Sequence, residues 1–306
     1  MSWTINNIPD LSGKLILVTG GNSGTGLESV KILASKGARV VFTVRSHEKG
    51  ENTKSLILKE NPVALVEYRI LELTDLESVR EFSKNFQNEF NRLDVLLNNA
   101  GIMMSPYFQT KDGFEAQFGT NHLGHFALTG LLLDLLLKTP GSRVVSISSM
   151  AHRRGSMDFD NLQFEGGKGY GPLKAYSRSK LANLLFIYEL QRKFEKASAK
   201  SMALAAHPGI SDTNLGRFFE YKWYVKPFLP IYKSMVQDAT MGSLPGIRAA
   251  TDPAARGGDY YGPVGKGERK GYPAKVMSVE ESHNKETAAR LWEESEKLTG
   301  VRYIFR

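Results

Sequence analysis

Two tyrosine–lysine pairs in this sequence have the spacing that acid–base chemistry on a helix requires. Tyr170 precedes Lys174, and Tyr176 precedes Lys180, by four positions each. In a helix this spacing places both side chains on one face, where the ammonium stabilises a phenolate. The phenol pKa, ordinarily about 10, is then expected to fall toward neutrality, which suits a general acid and base. A Gly-Pro dipeptide interrupts the first pair and opposes a helical turn there. The sequence therefore favours Tyr176 with Lys180, and we interpret Tyr170 as a loop or substrate-pocket residue.

The composition is that of a large globular protein without cysteine chemistry. Hydrophobic residues make up 41% of the 306 positions, and a chain of this length can form one α/β domain over residues 1–306. The absence of cysteine excludes disulfides and thiolate nucleophiles, and no ligand spacing indicates a metal site. The net charge of +8 is spread along the chain, which favours a solvated basic surface over nucleic-acid binding.

The distribution of apolar residues predicts a cytoplasmic location. Residues 1–10 are polar and lack the apolar stretch of a signal peptide. The most apolar run, at 126–137, contains Asp134 and is too short to span a bilayer.

Strand and helix patterns alternate along the first two thirds of the chain. Strands are predicted at 14–19, 39–44, 66–70, 93–97, 143–147 and 202–206. Helices are predicted at 27–36, 48–60, 76–90, 114–137, 175–194 and 285–298. This alternation predicts an α/β fold with a doubly wound, mostly parallel sheet. We expect seven strands with helices on both faces, a Rossmann-like three-layer sandwich.

A glycine-rich turn follows the first predicted strand and opens the first helix. Residues 19–26 read Thr-Gly-Gly-Asn-Ser-Gly-Thr-Gly. Glycines allow the backbone to approach a pyrophosphate, and the helix N-terminus favours its negative charge. The turn therefore predicts a dinucleotide site.

The motifs together resemble the short-chain dehydrogenase/reductase family, in its single-domain branch. The resemblance rests on Thr-Gly-x-x-x-Gly-x-Gly at 19–26, Asn-Asn-Ala-Gly at 98–101, Ala-Tyr-x-x-Ser-Lys at 175–180 and Pro-Gly at 208–209. Asn-His-Leu-Gly-His-Phe at 121–126 and the long interval from Ser149 to Tyr176 are similar to the retinol-dehydrogenase-like and protochlorophyllide-reductase-like subgroup. The chain is identified as a member of this family, which implies hydride transfer between a nicotinamide and a carbonyl or alcohol.

The resemblance implies a catalytic tetrad of Asn121, Ser149, Tyr176 and Lys180. Tyr176 would exchange the proton, and Ser149 would hold the substrate oxygen, with Ser148 as the alternative serine. Lys180 would lower the tyrosine pKa and bind the nicotinamide ribose. A helix distortion at Asn121 would leave a backbone carbonyl to hold a water near the lysine.

The resemblance also implies a set of cofactor-binding residues. Besides Tyr176 and Lys180 these are Gly20, Asn22, Ser23, Gly24, Gly26, Arg45, Glu72, Leu73, Asn99, Ala100, Gly101, Pro208, Gly209, Ile210 and Thr213. Ile210 would contact the nicotinamide amide, and Thr213 would lie near the diphosphate. Glu72 departs from the family pattern, which usually has an aspartate there.

The end of the second predicted strand indicates which cofactor is preferred. An NAD site usually has an acidic residue there for the ribose 2′-hydroxyl, but this chain has Arg45 and no acid before Glu48. An arginine suits a 2′-phosphate through bidentate, charge-assisted contacts. We therefore predict NADP(H), with NAD(H) as the alternative.

An aromatic, lysine-containing stretch at 212–242 predicts an apolar lid and hence a lipophilic small-molecule substrate. Helix packing, an oligomer contact and a membrane contact are the alternatives for this stretch. Two other functions stay open at this point: a catalytically silent NADP(H) sensor, and a reductase of C=C bonds.

Overall fold

The computed structural model describes residues 2–211 and 236–305. Thr213 and most of the predicted lid therefore lie outside the described residues. The strands in the described residues are β1 Leu15–Val18, β2 Arg39–Val44, β3 Val66–Ile70, β4 Val95–Asn98, β5 Arg143–Ile147, β6 Met202–Ala206, β7 Tyr260–Pro263 and β8 Pro273–Lys275.

These strands form a single sheet in the order β3-β2-β1-β4-β5-β6-β7-β8. The pairs from β3 through to β7 are parallel, and β8 is antiparallel to β7. The α/β fold is thus confirmed, but the expected seven strands are eight in the described residues. The eighth escaped the sequence pattern because it has only three residues and begins with Pro273, a residue that strands tolerate mainly at edges.

Helices cover both faces of the sheet. They are α1 Gly24–Ser35, α2 His47–Glu60, α3 Leu76–Glu89, α4 Ala116–Phe118, α5 Gly124–Leu131, α6 Leu133–Lys138, α7 Pro172–Lys196, α8 Ala239–Thr251 and α9 Lys285–Thr299. Short 3₁₀ helices occur at Ile5–Asn7, Met150–Arg154, Phe159–Asn161, Glu165–Gly167, Lys266–Glu268 and Glu280–His283. In the part of the chain that the structure describes, no helix is long and apolar enough to cross a membrane.

Strand β1 shows how one short sequence serves two cores. All four of its residues are buried, as expected for a parallel strand covered on both sides. Ile16 and Val18 pack into a core with residues of α1 and α8. Leu15 and Leu17 pack into the opposite core with residues of α3, α5 and α7. The alternation of side chains along the strand therefore joins the two helical layers.

The single helix predicted at 114–137 is wrong, because the structure divides this stretch. A π-helical segment, Gly119–Leu123, separates α4 from α5, and a break at Leu132 separates α5 from α6. One extra residue in a turn barely changes the apolar periodicity, so the sequence pattern could not reveal it. The π segment contains Asn121, which the resemblance placed at a helix distortion.

Candidate active site

A cavity of about 460 Å³ opens at the carboxyl ends of β1, β2 and β4. The order of strands reverses between β1 and β4, which is where ligands bind in open α/β sheets. Ten of the predicted cofactor residues line this cavity: Gly20, Asn22, Ser23, Gly24, Arg45, Glu72, Leu73, Asn99, Ala100 and Gly101.

The glycine-rich turn has the shape that a bound pyrophosphate requires. Gly20 has φ +66, in the left-handed region that favours glycine. A Cβ at Gly26 would overlap the carbonyl oxygen of Gly20 and lie 2.5 Å from Nδ2 of Asn99. The turn thus packs closely against the start of α1, whose first residues Gly24 and Thr25 line the cavity and have N–H groups without a partner inside the helix. These residues fit the diphosphate of a dinucleotide.

Two cations line the cavity at the end of β2. Arg45 and Lys49 are exposed at this end, and Lys49 lies in the first turn of α2, which Ser46 caps through its side chain. Glu72 also lines the cavity, but its carboxylate accepts a hydrogen bond from the backbone N–H of Thr74 at 3.1 Å. The cavity therefore offers more positive than negative charge to a ligand.

The catalytic candidates come together where α7 crosses β5. The Ser149 hydroxyl lies close enough to the Tyr176 phenol to act on its pKa, whereas the Ser148 hydroxyl donates to the Lys180 carbonyl oxygen at 2.8 Å. Ser149 is therefore the serine that faces Tyr176. Nζ of Lys180 donates to the Ile147 carbonyl oxygen at 3.0 Å and lies 5.7 Å from the centre of the Tyr176 ring.

The pKa values of this pair differ from the sequence-based expectation. Burial raises the pKa of Tyr176 to about 12, and the neighbouring Ser149 hydroxyl, which acts to lower this pKa, only partly opposes the rise. Burial also lowers the pKa of Lys180 to about 8. The predicted lowering of the tyrosine pKa is wrong for this arrangement, because the ammonium is directed at the Ile147 carbonyl rather than at the phenol. Tyr176 consequently holds its proton throughout the neutral pH range.

Asn121 connects the turn after β4 to the catalytic helix. Its Oδ1 accepts from the Ile102 N–H at 2.8 Å, and its Nδ2 donates to the Ile102 carbonyl and to Oγ of Ser179. A Cβ at Gly101 would lie 2.9 Å from Oδ1 of Asn121 and 3.6 Å from Nζ of Lys180. Gly101 lines the cavity, whereas Lys180 does not. Gly101 therefore connects the cavity to Lys180, a catalytic candidate.

Pro208, Gly209 and Ile210 form a turn directly after β6. This turn is not among the cavity's lining residues in the described part of the chain, and neither are Ser149, Tyr176 and Lys180. The turn is held from outside the cavity, by a hydrogen bond from the Ile210 N–H to the Arg269 carbonyl at 2.8 Å.

Known proteins share both the sequence and the fold. Residues 14–161 match the model of the family described as short chain dehydrogenase. Retinol dehydrogenase 13 from Homo sapiens is 38% identical over 296 residues, covering 95% of this chain and 86% of that protein. This chain belongs to the short-chain dehydrogenase family. Retinol dehydrogenase 11 from Homo sapiens is 44% identical over 71% of this chain and 68% of its own length.

A solved structure extends the likeness to the whole described fold. An uncharacterized protein from Mycobacterium Paratuberculosis superposes with a TM-score of 0.82 at 38% identity, over 99% of this chain and all of that one. This short-chain dehydrogenase is accordingly an oxidoreductase that interconverts alcohol and carbonyl groups.

Sequence reasoning missed a buried hydrogen-bonded chain in this dehydrogenase. The Thr19 hydroxyl accepts from the N–H groups of Asn99 and Ala100, each at 2.9 Å, and lies 2.9 Å from Nε2 of His125. Nδ1 of His125 lies 3.0 Å from the Asn121 carbonyl oxygen, to which it can donate. Burial lowers the pKa of His125 to about 4, so the ring is neutral near pH 7. The chain links the cofactor turn to the π segment through residues far apart in sequence.

Sequence reasoning also missed Gln117, which supports the segment that joins Ser149 to the start of α7. Oε1 of Gln117 accepts from the Met104 N–H at 2.8 Å, and its Nε2 donates to the Tyr170 hydroxyl and the Pro172 carbonyl. The Tyr170 hydroxyl donates to the Ser105 carbonyl at 2.7 Å. Tyr170 thus lies in a loop, outside α7, as its Gly-Pro neighbours predicted. A buried glutamine within an apolar stretch was the available signal.

Proposed function

We propose that this short-chain dehydrogenase transfers a hydride between NADP(H) and a carbonyl or alcohol group of a lipophilic small molecule. The observation that carries the proposal is the buried Tyr176 phenol, which lies next to Ser149 and Lys180 and beside a cavity that fits a dinucleotide. The curated relatives named retinol dehydrogenase support a lipophilic alcohol or aldehyde as the substrate class.

The residues of this chain supply the proton and the orientation. When bound, NADPH supplies the hydride that reaches the carbonyl carbon. Tyr176 gives its phenolic proton to the carbonyl oxygen, to which the Ser149 hydroxyl also donates a hydrogen bond. The Lys180 ammonium, which is directed at the Ile147 carbonyl and does not lower the pKa of the phenol, would bind the nicotinamide ribose. A phenol with a pKa of about 12 is fully protonated at pH 7, as the reduction direction requires.

We also propose that NADP(H) is preferred over NAD(H). Arg45 and Lys49 line the cavity at the end of β2, and no acidic residue follows this strand before Glu48. A 2′-phosphate would find two cations there, and Arg45 can bind it in bidentate fashion.

The proposal is tested by following NADPH absorbance with a panel of retinoid, steroid, quinone and long-chain aldehyde substrates, with identification of the products. Tyr176→Phe is expected to lower kcat by about 10²–10⁴-fold, the usual contribution of a general acid, while the Kd for NADPH stays unchanged. Near-normal turnover in that variant would refute the role of Tyr176. NADPH binding without turnover of any carbonyl would favour a sensor, and saturated C=C products would favour the alternative reductase.

A further inference from the structure

The loop between β7 and β8 contacts two segments of the active site at once. Oε1 of Glu268 lies 2.6 Å from Nη2 of Arg153, and Oε2 lies 3.0 Å from Nε2 of His207. Arg153 belongs to the 3₁₀ helix that Ser149 caps, and His207 immediately precedes the Pro208–Ile210 turn. One carboxylate therefore bridges the serine segment and the turn.

The contacts of His207 fix both the orientation and the tautomer of its ring. The side chain is fully buried, and Nδ1 accepts a hydrogen bond from the Gly209 N–H at 3.2 Å. Nε2 consequently carries the proton and donates it to Glu268. This hydrogen bond, and then the pairing with Arg153, hold the pKa of Glu268 below its usual range, so the group is a carboxylate at neutral pH.

The same loop also holds the turn through its backbone. The Arg269 carbonyl accepts from the Ile210 N–H at 2.8 Å, and a Cβ at Gly209, whose φ is +67, would overlap this carbonyl. Glu268 itself has φ +56, a left-handed conformation that is strained for a residue other than glycine. A strained backbone that persists at such a junction indicates that the surrounding contacts stabilise it.

We propose that Glu268 is a positioning residue for the nicotinamide end of the cofactor site. Through His207 it fixes the Pro208–Ile210 turn, and through Arg153 it fixes that turn relative to Ser149. The inference rests on the proposed function, because the turn is a nicotinamide contact by family resemblance. Glu268 acts through its neighbours and contacts no reacting atom, so it is not a catalytic residue.

The first test compares two ligands that differ only in the nicotinamide ring. Calorimetry on the full chain measures Kd for NADPH and for 2′-phospho-ADP-ribose, which lacks the ring. Glu268→Ala is expected to raise Kd for NADPH about tenfold, the effect of one hydrogen bond to a charged group, and to leave binding of the ringless ligand unchanged. Glu268→Gln keeps an acceptor for His207 and should stay within about threefold of the wild type. Glu293→Ala, at an exposed position of α9, is the matched control.

Equal weakening of both ligands by Glu268→Ala would indicate general destabilisation and overturn the proposal, as would unchanged binding of both. A wild type that binds neither ligand would instead contradict the proposed function. Amide hydrogen exchange of residues 207–211, measured without any ligand, tests the positioning role of Glu268 independently of cofactor binding. Exchange there should accelerate in Glu268→Ala and Arg153→Ala, but not in Glu268→Gln, Glu293→Ala or Arg154→Ala. Unchanged exchange in Glu268→Ala would refute the positioning role whatever the ligand data show.

Discussion

Lys180 carries a charge where the fold would be more stable without one. Its side chain is 4% exposed, and burial lowers its pKa from 10.5 to about 8. Below pH 8 both the folded and the unfolded chain hold the proton, and the folded chain bears the cost of burying it. Between about pH 8 and 10.5 only the unfolded chain holds the proton, so the contribution of Lys180 to stability rises with pH in this window.

Replacing Lys180 by methionine is therefore expected to stabilise the protein and to abolish its activity. The shift from 10.5 to about 8 corresponds to ~3 kcal/mol of buried-charge cost at pH 7, and the lost hydrogen bond to Ile147 offsets about 1 kcal/mol. Chemical denaturation at pH 7 should show a net gain in unfolding free energy of about 2 kcal/mol.

The pH dependence distinguishes this cause from improved packing. The gain in unfolding free energy should disappear near pH 10.5, because the folded wild type no longer buries a charged ammonium there. Lys174→Met, at the exposed lysine of the other tyrosine–lysine pair, should change stability by less than about 0.5 kcal/mol. A gain of the same size at both pH values would contradict the explanation.

At the scale of elements, Gln117 joins two walls beside the catalytic helix. One wall is the segment after β4, where Met104 has φ +57 and donates its N–H to Gln117. The other is the segment before α7, where Tyr170 and Pro172 accept hydrogen bonds from the same amide. Three hydrogen bonds from one side chain thus set the spacing between the loop and the N-terminus of α7.

Gln117→Leu is expected to raise KM for the carbonyl substrate about tenfold, because three partly buried hydrogen bonds are lost and the two walls separate. The Kd for NADPH should not change, since Gln117 does not line the dinucleotide cavity. Steady-state kinetics and calorimetry measure the two effects.

Gln87→Leu is the control for this prediction. Gln87 also donates to two backbone carbonyls, those of Ser83 and Leu131, but it lies on α3. Gln87→Leu should leave KM for the carbonyl substrate and Kd for NADPH unchanged. An increase of both constants in Gln117→Leu would indicate that the loop supports the whole site, and not the substrate side alone.

Most of the elements that the sequence predicted well are strands in which burial determines the pattern of apolar residues. Strands β2, β5 and β6 have the predicted bounds, because runs of β-branched and apolar residues fill a sheet covered on both faces. Strand β3 also has the predicted bounds, although it is an edge strand whose last four residues are only partly buried. Helix α8 was not predicted, since Pro245 and two glycines interrupt its apolar pattern.

The sequence likewise predicted some features of the candidate site and not others. Both tyrosine–lysine pairs have the same spacing, and the Gly-Pro dipeptide was enough to predict that only Tyr176 and Lys180 share a helix. Local sequence patterns could not show that Glu268 reaches Arg153 and His207, because these residues are 115 and 61 positions away. They also could not show that His125 reaches Thr19, which is 106 positions away. Burial also reversed the expected direction of the Tyr176 pKa shift, and the degree of burial cannot be read from spacing.

At the scale of the whole molecule, the cavity draws on residues that follow β1, β2, β3 and β4. A ligand that binds there only in the folded state stabilises the entire sheet by mass action. NADPH at about 100 times its Kd should add about 2.7 kcal/mol, which raises Tm by about 4 °C in a chain of this size.

Arg45→Asp is expected to reduce the Tm shift produced by NADPH to about half, because losing one charge-assisted phosphate contact weakens binding about tenfold. The shift produced by NADH should be kept or increased, since an aspartate at the end of β2 can accept from the ribose 2′-hydroxyl. Arg302→Asp changes the net charge equally at an exposed position that does not line the cavity, so it separates local recognition from general attraction of an anion. Equal losses in both variants would show that overall charge attracts the cofactor, whereas equal wild-type shifts with NADPH and NADH at equal concentration would contradict the NADP(H) preference itself.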